Sequence, residues 1–205
     1  MSTVLRELEA GDDPQAWRRL GFTVDEEDSC RLGEVLVRLD GRGGGLRGWV
    51  LEGEGPAAVD GVVSRWVPPS AAASPAQEQL HPNGTRGLDH VVVLTDSRDR
   101  TVAALAAAGG NLRRRRDPPD VPVPMAFVRL GATIVEVAQG PGPGTRMWGL
   151  AVIVPDVDAL AARYDAYLGK PRPAVQAGRR IVTARRGEGL GVALAFMTPR
   201  AAELA

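Results

Sequence analysis

Over its last hundred-odd residues the chain is written twice, at an offset of sixty. Leu88-Asp89-His90-Val91-Val92-Val93-Leu94-Thr95-Asp96 aligns with Trp148-Gly149-Leu150-Ala151-Val152-Ile153-Val154-Pro155-Asp156. Each reads as an apolar strand running into an Asp suited to cap a helix. At the same offset Gly109 falls on Gly169 and Gly131 on Gly191. Gly131-Ala132-Thr133-Ile134-Val135-Glu136 then falls on Gly191-Val192-Ala193-Leu194-Ala195-Phe196, so His90 maps to Leu150 and Glu136 to Phe196. A unit that exposes one apolar sheet face cannot bury it alone, whereas two can close on each other. The expected fold is α+β: paired βαβββ units forming a cup-shaped mixed sheet, with a degenerate N-terminal third unit.

In the first copy, a strand over 88–94 leads to a helix capped at Asp96 or Ser97. Val102, Leu105 and Ala106 share one face of that helix, and Gly109-Gly110 ends it. Three strands follow, over 111–116, 125–130 and 132–138. The second copy has a strand over 148–154, a helix started by Asp156 and closed at Gly169, and strands near 173–176, 179–185 and 192–197. The paired domain is placed at 87–199, with units at 87–139 and 147–199, and a connector at 71–86. Residues 1–70 are a looser third copy. There, Asp13-Pro14 starts a helix that turns Trp17 and Leu20 inward, and Gly21 ends it. Cys30–Leu39 and Leu46–Glu52 read as a hairpin around Asp40-Gly41-Arg42-Gly43-Gly44-Gly45. Three units leave one face without a partner, so either one unit pairs across a dimer or the first packs outside the cup; a homodimer is expected.

Composition narrows the function. Basic and acidic residues balance at 25 each, which gives no overall pull toward nucleic acid or an anionic membrane. Arg113-Arg114-Arg115-Arg116 is followed by Asp117 and Asp120 and has no interleaved aromatics, so it reads as a solvated strand edge or loop, with an anion-binding lip as the alternative. Gly41 to Gly45 is not a phosphate loop, since no helix and no Lys-Ser/Thr pair follow. The single cysteine, Cys30, rules out an internal disulfide and is read as buried. No apolar run reaches the length of a membrane span. The expectation is a cytoplasmic protein with a small-molecule ligand and neither a nucleic-acid nor a membrane partner.

Leu88-Asp89-His90-Val91-Val92-Val93, the capped helix after it and Ile134-Val135-Glu136-Val137 resemble the vicinal oxygen chelate superfamily. That group includes glyoxalase I, bleomycin- and fosfomycin-resistance proteins, extradiol dioxygenases and methylmalonyl-CoA epimerase. The resemblance covers residues 87–199 well and 1–70 poorly. It implies a divalent metal (Zn, Fe, Mn, Ni or Mg) inside the cup, held from the first and last strands of both units. His90 and Glu136 match such ligand positions, while Leu150 and Phe196 hold the partner positions and bring only hydrocarbon. Two ligands are too few for a tight mononuclear site.

Without metal, Glu136 in an apolar cup is a candidate general base, with His90 orienting it or shuttling the proton. Trp148, Phe196, Leu150, Phe127 and Met125 are candidates to line a pocket for a flat or amphipathic ligand, with room beside Trp148 at Gly149. Strand alternation lets only one of Arg179 and Arg180 face in, and Arg180 is assigned to the ligand. His81, the other histidine, is expected to fold over the mouth. The expected function is a glyoxalase/bleomycin-resistance-like pocket protein, a lyase, isomerase or dioxygenase relative with an incomplete metal site. The alternative is a non-catalytic binder of an antibiotic or natural product.

Overall fold

The computed structural model describes residues 3–69 and 79–200, so part of the connector lies outside the described residues. The first sheet takes β1 (Val4–Ala10), β2 (Ser29–Leu32), β3 (Val35–Leu39), β4 (Leu46–Glu52), β5 (Ala58–Val59) and β6 (Val62–Val67), with α1 (Pro14–Arg19) between β1 and β2. Its strand order is β2-β3-β1-β4-β6-β5. The second sheet takes β7 (Gly87–Thr95), α2 (Arg98–Ala107), β8 (Asn111–Arg116), β9 (Met125–Leu130) and β10 (Thr133–Gln139). It continues with β11 (Thr145–Ile153), α3 (Val157–Arg163), β12 (Arg172–Pro173), β13 (Arg180–Thr183) and β14 (Ala193–Met197). Its order is β12-β13-β14-β11-β7-β10-β9-β8. This is the paired arrangement of the repeat. In each half the first and last strands run parallel, and the two halves meet along the antiparallel seam of β7 and β11.

Local chemistry sets the helices. Asp13 caps α1 with Pro14 in its first turn, Ser97 caps α2, and Asp156 caps α3 by accepting from the Asp158 and Ala159 amides. Of the two cap candidates for α2 it is Ser97 that bonds the helix, while Asp96 accepts from Arg100 and from the Gly144 amide.

The N-terminal segment departs from the expected hairpin. Leu46–Glu52 does not pair with β3; it lies antiparallel to β1 on the other side. The stretch read as one strand over 30–39 is broken at Gly33, whose φ of 67° makes a tight turn, and it folds on itself as β2 and β3. The glycine run therefore crosses over the end of β1 instead of turning back. It passes so close that a Cβ on Gly11 would sit 1.7 Å from the Gly43 carbonyl oxygen. The centre of this sheet, β3-β1-β4-β6, repeats the parallel–antiparallel–parallel pattern of β14-β11-β7-β10 in shortened form.

The two sheets share one core, in which Leu8, Trp17 and Trp49 join Val91, Leu150 and Phe196. Phe22 stacks on Phe196 with ring centres 5.7 Å apart. Buried Asp12 ties the halves together, accepting from the Gly191 and Val192 amides and from Trp17 Nε1. The apolar face that prompted the expectation of a homodimer is thus covered by the chain's own first sheet. The opposite face of β1 is closed by ion pairs, Arg38 Nε with Glu7 Oε2 at 2.8 Å and Arg65 Nε with Glu9 Oε1 at 2.8 Å. Burial pushes the Cys30 thiol up to about 12, which makes it unreactive near neutrality.

His81 does not cover the cup. It packs edge-on to Phe22 at 5.5 Å, accepts from the Thr23 amide through Nδ1 and bonds the Arg31 carbonyl through Nε2. Burial lowers its pKa from 6.5, and only the neutral ring can accept at Nδ1. Stability is therefore full above the unfolded value of 6.5 and is lost as pH falls below it. Thermal melts between pH 7.5 and 5 are expected to show a falling Tm that flattens in His81→Gln; parallel curves would refute this role.

Candidate functional site

Residues paired across neighbouring strands share a face of the sheet. His90 on β7 pairs with Ile134 on β10 and with Ala151 on β11, and Ala151 pairs with Ala195 on β14. These four look into the cup, as do Glu136 and Met197 two residues further along β10 and β14. The structural counterparts of His90 and Glu136 are therefore Ala151 and Met197, each one residue beyond the positions the repeat selects. Leu150 borders the cavity, but its register partners are Val91 and Leu194 on the opposite face, toward the first sheet. Phe196 is wholly buried on that face against Phe22 and lines no part of the cavity. A slip of one residue turns every side chain to the other face. Both faces of β14 are apolar, so a slip there carries no penalty in the hydrophobic pattern.

The cup encloses about 750 Å³, within the ordinary range for a small-molecule site. Met125 and Phe127 from β9 line it, together with Ile181, Ala193 and Met197. Trp148 lines it as the extra residue of a β11 bulge, 43% exposed, with the Arg186 guanidinium 5.6 Å from its ring centre. Gly149 leaves no room beside it. A Cβ there would meet the Ala193 carbonyl oxygen at 2.1 Å, so Gly149 serves close packing of β11 on β14. Gly149→Ala is expected to lower stability by about 1–3 kcal/mol, the usual cost of overpacking, measurable by urea unfolding; unchanged stability would show that β14 yields freely.

At the floor a buried polar chain ends in the cavity. Arg179 Nη2 donates to Asp89 Oδ1 at 2.7 Å, and its Nε and Nη1 donate to the Thr198 carbonyl and to Gln176 Oε1. Asp89 Oδ2 accepts from His90 Nδ1 at 2.6 Å. His90 Nε2 then lies 3.8 Å from Glu136 Oε2, too long for a hydrogen bond. Burial would raise Asp89, but the His90 and Arg179 bonds prevail and hold it at about 2. For Glu136, burial prevails over the attraction of His90, and its proton affinity is raised above 4.5. Ionised Asp89 fixes the proton of His90 on Nδ1 and turns Nε2 toward Glu136.

Sequence reasoning joined His90 with Glu136 but missed Asp89, whose neighbour relation to His90 suggested opposite faces. Asp89 is left unpaired where the β7–β11 register shifts between Ala151 and Val152. The choice of Arg180 is corrected: it points outward and is held by Asp158 at 2.6 and 2.7 Å, and Arg179 is the inward residue. As a metal site the cup does not fit. Ala151 and Met197 face it opposite His90 and Glu136, and no group of three or more His, Cys, Asp or Glu able to hold an ion occurs among the described residues.

No family model matches the chain, and no curated protein matches it. Among solved structures, methylmalonyl-CoA epimerase from Mycobacterium tuberculosis is similar over 63% of this chain and 98% of its own, with TM-score 0.53 and 19% identity. A xylose isomerase-like TIM barrel/4-hydroxyphenylpyruvate dioxygenase fusion protein is similar over 98% of this chain, with TM-score 0.65 and 13% identity. This chain spans about half the length of that fusion, which is covered over 50%. No helix among the described residues is long and apolar enough to cross a membrane. Paired βαβββ halves, the antiparallel seam and these two likenesses together give the chain the vicinal oxygen chelate fold.

Proposed function

We propose that the protein is an acid–base enzyme that moves a proton at a carbon beside a carbonyl or carboxylate of a small molecule held in the cup, an isomerase- or lyase-type reaction. One observation carries this reading: Glu136 and His90 reach the cavity floor 3.8 Å apart, with His90 anchored through Asp89 to buried Arg179. Glu136, desolvated and raised in proton affinity, is the base. His90, oriented by Asp89 with its unprotonated Nε2 toward Glu136, is placed to relay the proton that Glu136 removes and to return it to the substrate. Met125, Phe127 and Trp148 hold the body of the substrate. A dioxygenase of the non-haem type needs two imidazoles and a carboxylate at one ion, and the cup floor offers one of each. The proposal stands on this geometry, since at 19% identity the likeness to an epimerase is one of fold.

The test is carbon–hydrogen exchange in D2O with a panel of 2-oxo acids and acyl thioesters, read by mass spectrometry. Exchange by the wild type that is lost in Glu136→Gln, with ligand affinity retained, supports the reading. Exchange undiminished in the variant would sink it.

A further inference from the structure

The cavity wall carries more positive charge than an acid–base pair requires. On β8, alternation sends Arg114 and Arg116 into the cup beside Phe127 and Met125 and sends Arg115 outward to Asp99. The irregularity between Leu112 and Arg114 brings Arg113 to the same wall, and β9 adds Arg129. Across the cavity stand Arg172, Arg200 and buried Arg179. Among the described residues Glu136 is the one carboxylate on a wall that Arg113, Arg114, Arg116, Arg129, Arg172 and Arg179 also line. Outside the cup Arg98, Arg100, Arg115 and Arg180 each pair with an aspartate. Among the described residues Arg113, Arg114, Arg129 and Arg172 make no ion pair. Arg116 Nε is buried without a hydrogen-bond partner, although Nη2 of the same side chain donates to the Asp120 carbonyl at 3.3 Å.

Like charges gathered around a concave wall repel one another and focus a positive potential into it. Guanidinium forks match phosphate oxygens in pairs, so an entering polyanion relieves the repulsion and satisfies the idle donors. A cavity of about 750 Å³ suits a small molecule and not a nucleic-acid strand. We infer that the cup takes a substrate bearing a phosphate-type polyanion, seated on Arg114, Arg116 and Arg129, with its reactive carbon over Glu136. The placement of the reactive carbon rests on the acid–base reading; the anion site does not.

Inorganic pyrophosphate, titrated calorimetrically into the full chain, is the probe. Saturable binding is expected, weakening with added salt. Binding should fall at least about tenfold in R114A/R116A and in Arg129→Ala, the scale of losing one or two charge-assisted contacts. These side chains are exposed or half-buried, and a circular dichroism melt checks that the variants fold. Glu136→Gln should bind pyrophosphate as well as or better than wild type. No saturable binding, equal binding by both arginine variants, or capture of a single-stranded oligonucleotide that pyrophosphate does not displace would overturn the inference. Anion binding kept while exchange ignores Glu136→Gln defeats the acid–base reading alone. Exchange kept without anion binding defeats this one alone.

Discussion

Glu136→Gln is expected to slow proton exchange by about 10²–10⁴-fold, the range that a positioned general base supplies, with little change in ligand affinity. Gln has nearly the same shape and cannot take a proton. Burial holds the Glu136 carboxyl above 4.5, and the working form is the ionised one. Exchange by the wild type should therefore rise with pH through an apparent pKa above 4.5 and then level off. A flat profile, or one rising only near the unperturbed carboxylate range, would remove Glu136 from the base role. Glu136→Asp draws the carboxylate back from the ligand and should recover part of the rate, which separates chemistry from shape.

The second large effect is on stability. Arg179 and Asp89 are sealed together, with side chains 3% and 2% exposed. Arg179→Met leaves a carboxylate without its cation, and breaking a buried pair from one side typically costs about 3–5 kcal/mol. In a chain of this size that is a fall in Tm of roughly 10 °C. Arg179→Met combined with Asp89→Asn should regain much of the loss, since no bare charge then remains. Recovery in the double variant without return of exchange would mark Asp89 as the residue that positions His90. The pair also sets an acid limit. Asp89 is held at about 2 against an ordinary 3.8, so its contribution is complete above 3.8 and drains away as pH falls toward 2. A single variant as stable as wild type would mean that solvent reaches Asp89.

Much of this architecture was legible because the repeat carries its own punctuation. The capping residues Asp13 and Asp156 and the glycines at 109 and 131 mark where elements start and stop, whereas the helix expected to run to Gly169 ends at Arg163 and continues as turns. His90 and Glu136 were legible for a simple reason: a polar residue in an otherwise apolar strand stands out. Their counterparts were not. In Ala193-Leu194-Ala195-Phe196-Met197 both faces are buried or half-buried, so the pattern is the same whichever way the strand is turned. Asp89 was hidden by a bulge, and bulges arise from pairing, which one strand alone does not reveal. The arginine run lies on the exposed edge strand β8, and alternation splits it in a way that composition does not show. A charge count sees four bases in a row, while the sheet sends one to an aspartate on α2 and three to the cavity. The glycine run at 41–45 was taken for a tight turn because composition does not say which strands it connects.

Glu136 and His90 belong to the same half of the cup, and the mirrored positions are Ala151 and Met197. Methyl and thioether groups do not trade protons with a carbanion. Among the described residues, the acid and base of the proposed reaction stand on one side of the cavity. A proton taken from a carbon must then return to the same face, either to that carbon or to its neighbour along a conjugated system. The proposed reaction is therefore expected to be suprafacial, without inversion by two bases on opposite faces.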